Sequence, residues 1–286
     1  MKLILRKRVF NFDRTYIMGI INVTPDSFSD GGLFKTTDDA VQKALEFVKE
    51  GADIIDIGGE STRPGAMPVS IEEELNRVIP VIKKFREKDN ETPISIDTYK
   101  AEVAGQALSN GADIINDISG GTFDENIIKI GAEYDCSYVI MHIKGKPFNM
   151  QQNPVYSEKG VVFDIKEFFI NQAKKLIDSG IEKDKIILDP GIGFGKTLND
   201  NIEILNNLNE FRKLGFPVMI GVSRKSFIGN ILNKPPQGRL YGTIAAVVLS
   251  IINGASIVRV HDVREVKDSV VVTDRIICNK KIAMVG

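Results

Sequence analysis

Histidine and cysteine are scarce in this 286-residue chain, with two of each at His142, His261, Cys136 and Cys278, and tryptophan is absent. A closed zinc site needs four such ligands converging on one point, and the two cysteines are widely separated, so neither structural zinc nor a disulfide scaffold is expected. Both cysteines read as packing residues. Excess charge is missing too. With 37 Lys and Arg against 38 Asp and Glu the formal net charge is −1, which leaves no general field to collect nucleic acid or anionic lipid. Any anion must be met by locally placed cations. Long apolar runs are also lacking: the longest, Ile244 to Ile252, is interrupted by Ser250 and falls short of the ~20 residues that span a bilayer. Only Leu3, Ile4 and Leu5 precede the basic run Arg6-Lys7-Arg8, too few for a signal sequence, so a cytoplasmic location is expected. Asn22-Val23-Thr24 fits a glycosylation sequon, read as a chance match without a secretion signal.

What is present is a rhythm. Short runs rich in Ile and Val alternate with longer helical patterns, the signature of βαβ units and a parallel sheet. Eight strands are predicted, at 16–22, 53–57, 94–97, 114–116, 137–141, 185–189, 218–221 and 256–261. Helical patterns between them include 37–50, 71–88, 101–109, 163–179 and 243–253. Gly51, Gly111 and Gly254 stand where helices end and suit the left-handed position that closes them. The segments GADIIDIGG from Gly51 and GADIINDISGG from Gly111 repeat one another, and no Pro/Ser/Gly linker divides the chain. Residues 1–286 therefore read as a single α/β domain, a (β/α)8 TIM barrel with a short N-terminal extension to about residue 13. An open doubly wound sheet is the competing architecture.

The reactive face of such a barrel lies at the C-terminal strand ends. There the chain places Asn22, Asp56, Asp97, Asn116, His142, Asp189, the run Ser223-Arg224-Lys225-Ser226, and Arg259 with His261. Arg259 and His261 are two apart and point to one side of their strand. With Lys225 they read as a local cationic site for phosphate or diphosphate; a structural pairing of Arg259 with Asp262 or Asp189 is the alternative. Asp56, Asp97 and Asp189 could ligate a metal, transfer protons or recognise a ligand. A buried carboxylate suits the paired N–H and NH2 edge of a pterin or guanine, and Asn116 and Lys225 could satisfy its other ring atoms. The loop from Asp189 to Thr197 is not a phosphate-binding GxxxxGK[ST] loop, because Pro190 stands where its first glycine belongs. Its glycines let backbone approach a flat ligand, with Phe194 as a packing face. The segments 22–32 and 60–65 read as long exposed loops over the same face.

Seven stretches, INVTPDSFSDGG (21–32), DIGGESTRPGA (56–66), SIDTY (95–99), INDISGG (115–121), LDPGIGFGK (188–196), GVSRKSFIG (221–229) and VRVHDV (258–263), occur in one order along the chain. In these it resembles the bacterial dihydropteroate synthases. The resemblance implies a (β/α)8 barrel that condenses 6-hydroxymethyl-7,8-dihydropterin diphosphate with 4-aminobenzoate, releasing diphosphate and 7,8-dihydropteroate. It implies a pterin site at Asp97, Asn116, Met141, Asp189, Phe194 and Lys225, and a diphosphate site at Asn22, Thr62, Arg63, Arg259 and His261. Mg2+ would bind at Asn22, and 4-aminobenzoate at Phe28, Thr62, Pro64, Phe194 and Ser226. Asp97, Lys225, Arg259 and His261 would carry catalysis, and similar proteins are sulfonamide-inhibited homodimers. Residues 148–160 resemble the family passage MQxNPxY, with Met150-Gln151 and Asn153-Pro154-Val155-Tyr156 in place, whereas Lys144 stands where many members have Gln or Arg. Pterin-binding corrinoid methyltransferases share the pterin-facing Asp and Asn but have no use for a diphosphate site. A non-catalytic pterin-binding paralogue would be expected to lack Lys225, Arg63 or Arg259, and all three are present.

An arylamine is neutral and nucleophilic near neutral pH, so the step to accelerate is departure of diphosphate. Cations around that group, with Asp97 and Asp189 facing a pterin cation, predict a dissociative, SN1-like displacement without a covalent enzyme intermediate.

Overall fold

The computed structural model describes residues 2–24 and 36–285. A hairpin of β1 (Leu3–Leu5) and β2 (Arg8–Phe10) leads into eight parallel strands. These are β3 (Tyr16–Asn22), β4 (Ile54–Gly58), β5 (Ile94–Asp97), β6 (Ile114–Asp117), β7 (Ser137–Met141), β8 (Ile186–Asp189), β9 (Met219–Ile220) and β10 (Ile257–Val260). Each pairs with the next in sequence from β3 to β8, while β10 pairs with β3 and β9. A parallel bridge from Leu188 to Val218 joins β8 to the start of β9 and completes the ring. The arrangement is the TIM barrel, and the open sheet is excluded by that closure and by the β10–β3 pairing.

Around the strands run α1 (Thr37–Glu50), α2 (Ile71–Lys88), α3 (Ala101–Ser109), α4 (Asn126–Glu133), α5 (Val161–Asp178), α6 (Leu198–Asn206), α7 (Leu208–Arg212), α8 (Ser226–Leu232), α9 (Leu240–Ile252) and α10 (Val263–Val285). Local chemistry sets their ends. Thr36 and Asp39 form a reciprocal capping box at the start of α1, and Gly51 closes it at φ 102°. Gly111 and Gly254 take the same left-handed conformation, at φ 107° and 111°, as their positions after helices predict.

Alternation along the strands divides the core. One set of side chains, including Ile17, Ile55, Ile57, Ile115 and Val258, packs outward against the helices. The other set fills the barrel: Tyr16, Met18, Ile54, Ile114, Val139, Ile187, Met219 and Ile257, sealed by Leu3, Leu5 and Phe10 of the hairpin. The N-terminal extension is thus the floor of the barrel. Of the two cysteines, Cys136 is buried as expected, but Cys278 is exposed on α10. A helix hydrophobic on one side only leaves some apolar positions in water, and sequence alone misplaces Cys278.

Candidate active site

The next inward position on several strands, two residues beyond the apolar filling, is polar. Asp56 follows Ile54, Asn116 follows Ile114, Asp189 follows Ile187 and Arg259 follows Ile257, while Met141 follows Val139. Register brings them level: Asp97 lies opposite Asn116 and Met141 opposite Asp189. All of these but Asp56 line one pocket, open at its mouth, formed by Asp97, Asn116, Met141, Asp189, Phe194, Lys225, Arg259 and Thr62 among others.

Arg259 is the hub of one wall. Its Nε donates to Asp56 Oδ2 at 2.7 Å and its Nη2 to Asp97 Oδ2 at 2.6 Å. The pairing with Asp262 or Asp189 weighed from sequence does not form; Asp262 is instead bound by Arg224, whose Nε lies 3.0 Å from Oδ2. Arg259 is the inward residue of β10 and meets the carboxylates of β4 and β5 inside the barrel, whereas Asp262 lies beyond the strand. Burial raises the Asp97 pKa to about 7, opposed by Arg259 and reinforced by Asp56. Burial works against the Arg259 charge, yet Asp56 and Asp97 hold its pKa above the ordinary value. Asp56 also accepts from Asn116 Nδ2 at 3.3 Å, which directs the amide oxygen of Asn116 away from that carboxylate.

The rest of the lining includes Asp189 and Lys225, neither of which forms a side-chain ion pair among the described residues. Asp189 uses Oδ1 to accept the Gly191 N–H at 2.7 Å, and burial raises its pKa. Lys225 forms no ion pair among the described residues; its Nζ lies 4.0 Å from the Phe194 ring centre. Burial and the nearby Arg259 lower its pKa to about 8. A carboxylate and an ammonium facing one pocket can receive a donor edge and an acceptor atom of the same flat heterocycle.

His261 lies beside Arg259 but is not a second cation. Burial, with Arg259, Arg224 and Lys225 around it, lowers its pKa to about 3, and its Nδ1 lies 3.0 Å from Ser223 Oγ. The cationic pair expected from sequence is therefore one cation and one neutral imidazole, which can still donate a hydrogen bond to an anion. Asn22 ends β3 and is partly exposed. Thr62 reaches the pocket, whereas Arg63, Pro64 and Ser226 are exposed and are not part of its lining. Phe28 lies outside the described residues.

The base of the 60–69 loop carries a polar cluster that the strand-end pattern does not reveal. Glu60 is buried rather than exposed; it accepts from Tyr99 Oη at 2.8 Å and from Lys100 Nζ at 2.6 Å, and Lys100 also binds Glu74 at 2.6 Å. The loop is held again where Gly65 N–H donates to the Pro147 carbonyl at 3.1 Å. The adjacent pair Tyr99-Lys100, two residues beyond the strand-end Asp97, is the one sequence signal for this cluster.

Barrel and pocket together define an enzyme of the pterin-binding class: residues 18–261 match the family described as pterin binding enzyme. A dihydropteroate synthase of Synechocystis sp. is 51% identical over 251 residues, spanning 87% of this chain and 86% of that one. The crystal structure of Yersinia pestis dihydropteroate synthase with a sulfonamide drug complex superposes with a TM-score of 0.91 at 41% identity, covering 96% of this chain and 98% of that one. Xanthomonas albilineans dihydropteroate synthase in complex with 7,8-dihydropteroate gives a TM-score of 0.86 at 37% identity, with coverages of 96% and 98%. The chain belongs to the dihydropteroate synthase family.

Proposed function

We infer that the chain condenses 6-hydroxymethyl-7,8-dihydropterin diphosphate with 4-aminobenzoate, forming 7,8-dihydropteroate and diphosphate in folate synthesis. The observation that carries this reading is the pocket that Asp189 and Lys225 line together with Asp97 and with Arg259, itself tied to Asp56. The pterin's amino-pyrimidine edge would donate to Asp189, and Lys225 would donate to its ring acceptors. Asn116 and Asp97 face the rest of the ring, with Met141 and Phe194 against its faces. The diphosphate would reach Arg259, His261, Thr62, Arg63 and Asn22 at the mouth. There 4-aminobenzoate would enter past Pro64, Phe28, Ser226 and Phe194.

The reaction breaks the C–O bond to diphosphate, forms a C–N bond to the amine and releases one proton from nitrogen. Arg259 and the neutral His261 stabilise the leaving charge, while Asp97 and Asp189 face the cation spread over the pterin; the expected path is SN1-like. Pterin N–H donors would favour ionised Asp97, lowering its pKa from the free-enzyme value. Mg2+ would supply further charge neutralisation at the diphosphate when bound. The Asn22 side-chain amide, unengaged among the described residues, offers an oxygen of the kind that ion takes. Mg2+ is commonly held by few protein oxygens together with substrate phosphates and water.

A homodimer is part of the same reading. Tyr241 and Ile252 of α9, with Val271, Val272 and Ile276 of α10, are 80%, 57%, 54%, 59% and 54% exposed, and a second copy is the proposed cover. A cytoplasmic location is also proposed; among the described residues no helix is long and apolar enough to cross a membrane.

Calorimetric titration of pterin diphosphate tests the pocket. Lys225→Ala and Asp189→Ala should each lose about 2–5 kcal/mol of binding, because a buried partner is left unpaired. Wild-type affinity in either variant would sink the assignment.

A further inference from the structure

The passage resembling MQxNPxY takes no part in the bond exchange, yet it reaches the pocket through the glycine-rich loop between β8 and α6. Three successive carbonyls of that loop each receive a side-chain donor. Gln151 Nε2 donates to Gly193 O at 2.7 Å, Lys196 Nζ to Phe194 O at 3.0 Å, and Tyr156 Oη to Gly195 O at 2.7 Å. The Gly193 N–H is taken as well, by Asn201 Oδ1 at 2.7 Å. Loop carbonyls ordinarily face water; a run of three held by side chains from two different segments restrains the peptide planes between them.

Lys196 is the least expected member. It is 3% exposed and has no ion pair among the described residues. Its remaining contacts are the His142 carbonyl at 3.2 Å and His142 Nδ1 at 3.0 Å, so the ammonium ties the end of β7 to the loop. Burial lowers its pKa to about 7. Placing an amine there without a carboxylate is costly, and what it gains is three acceptors converging beneath Phe194. The Phe194 ring lies over Lys225 Nζ and lines the pocket beside Asp189 and Met141. A shift of the loop would carry this ring with it.

We propose that Gln151, Tyr156 and Lys196 are positioning residues that hold the Phe194 loop at the height required to close one face of the pterin site. The proposal rests on the synthase reading for its ligand. None of the three touches the reacting atoms; each acts through the loop backbone.

Gln151→Met, Tyr156→Phe and Lys196→Met remove one donor each while keeping much of the side chain's shape. Gln151 is exposed, so its variant should fold and melt as wild type does. We expect the KM for pterin diphosphate, and its calorimetric Kd without 4-aminobenzoate, to rise about fivefold in Gln151→Met and Tyr156→Phe and at least about tenfold in Lys196→Met. Wild-type KM and Kd in all three would overturn the proposal, as would lowered melting temperatures with unchanged binding. A wild-type protein that binds pterin diphosphate but forms no dihydropteroate would defeat the reaction assignment alone, leaving the Kd comparison to judge positioning.

Discussion

Arg259 has a double attachment, to Asp56 and to Asp97, and it engages only Oδ2 of Asp97, a residue that lines the pocket. Asp97, raised to about 7 by burial, should limit activity on the acid side if it faces the pterin as proposed. Below that pH it is protonated and loses its charge toward the pterin cation. Lys225, lowered to about 8 by burial, should limit the alkaline side, where it would lose the proton it is proposed to donate. Because kcat/KM follows free-enzyme ionisations, its profile for pterin diphosphate should be a narrow bell with limbs near those two values. Asp97→Asn should abolish the acid limb along with much of the rate. A flat profile through both limbs in the wild type would exclude Asp97 and Lys225 from these roles. Much of this site was legible, because strand-end Asp, Asn, Lys and Arg appear at the end of each apolar run. Asp56 as the anchor of Arg259 was not: the two are 203 residues apart, and only ring closure makes them neighbours. The lowered pKa of His261 was equally hidden, since it follows first from burial and then from Arg259, Arg224 and Lys225 around it.

Among the elements, strands are easier to read than the connections between them. Continuous Ile/Val runs are what a strand buried on both faces requires, so all eight strands lie within two residues of their expected ends. Boundary differences such as 218–221 against Met219–Ile220 reflect fraying where ladder bonds cease. The short helices α4, α7 and α8 have 8, 5 and 7 residues, too few turns for a clear helical period. The glycine-rich loop owes its shape to backbone contact. Gly191 has φ +69°, and a Cβ there would run into the His142 carbonyl oxygen, whereas a Cβ at Gly65, φ +82°, would meet nothing within 4 Å. Gly191→Ala should therefore destabilise by about 3 kcal/mol and Gly65→Ala by about 1 kcal/mol. Urea midpoints decide the matter; equal midpoints for the two variants would contradict the close packing of the loop on β7.

For the molecule as a whole, the near-zero charge means that a polyanionic substrate is gathered by a few placed groups at one end of the barrel, not by a surface field. The other end is closed by Leu3, Leu5 and Phe10, so the pocket at the C-terminal strand ends is not reached from that side. The apolar side chains left on α9 and α10 predict association: sedimentation equilibrium should give twice the 31.6 kDa of one chain, and Tyr241→Glu should shift the protein toward the monomer. A monomer at every concentration would rule out a second copy as the cover of these helices. The central claim concerns bond exchange at the barrel mouth. Purified protein given pterin diphosphate, 4-aminobenzoate and Mg2+ should form dihydropteroate and diphosphate in equal amounts, with no dihydropteroate when either organic substrate is withheld. Failure to form dihydropteroate with all three present would contradict it.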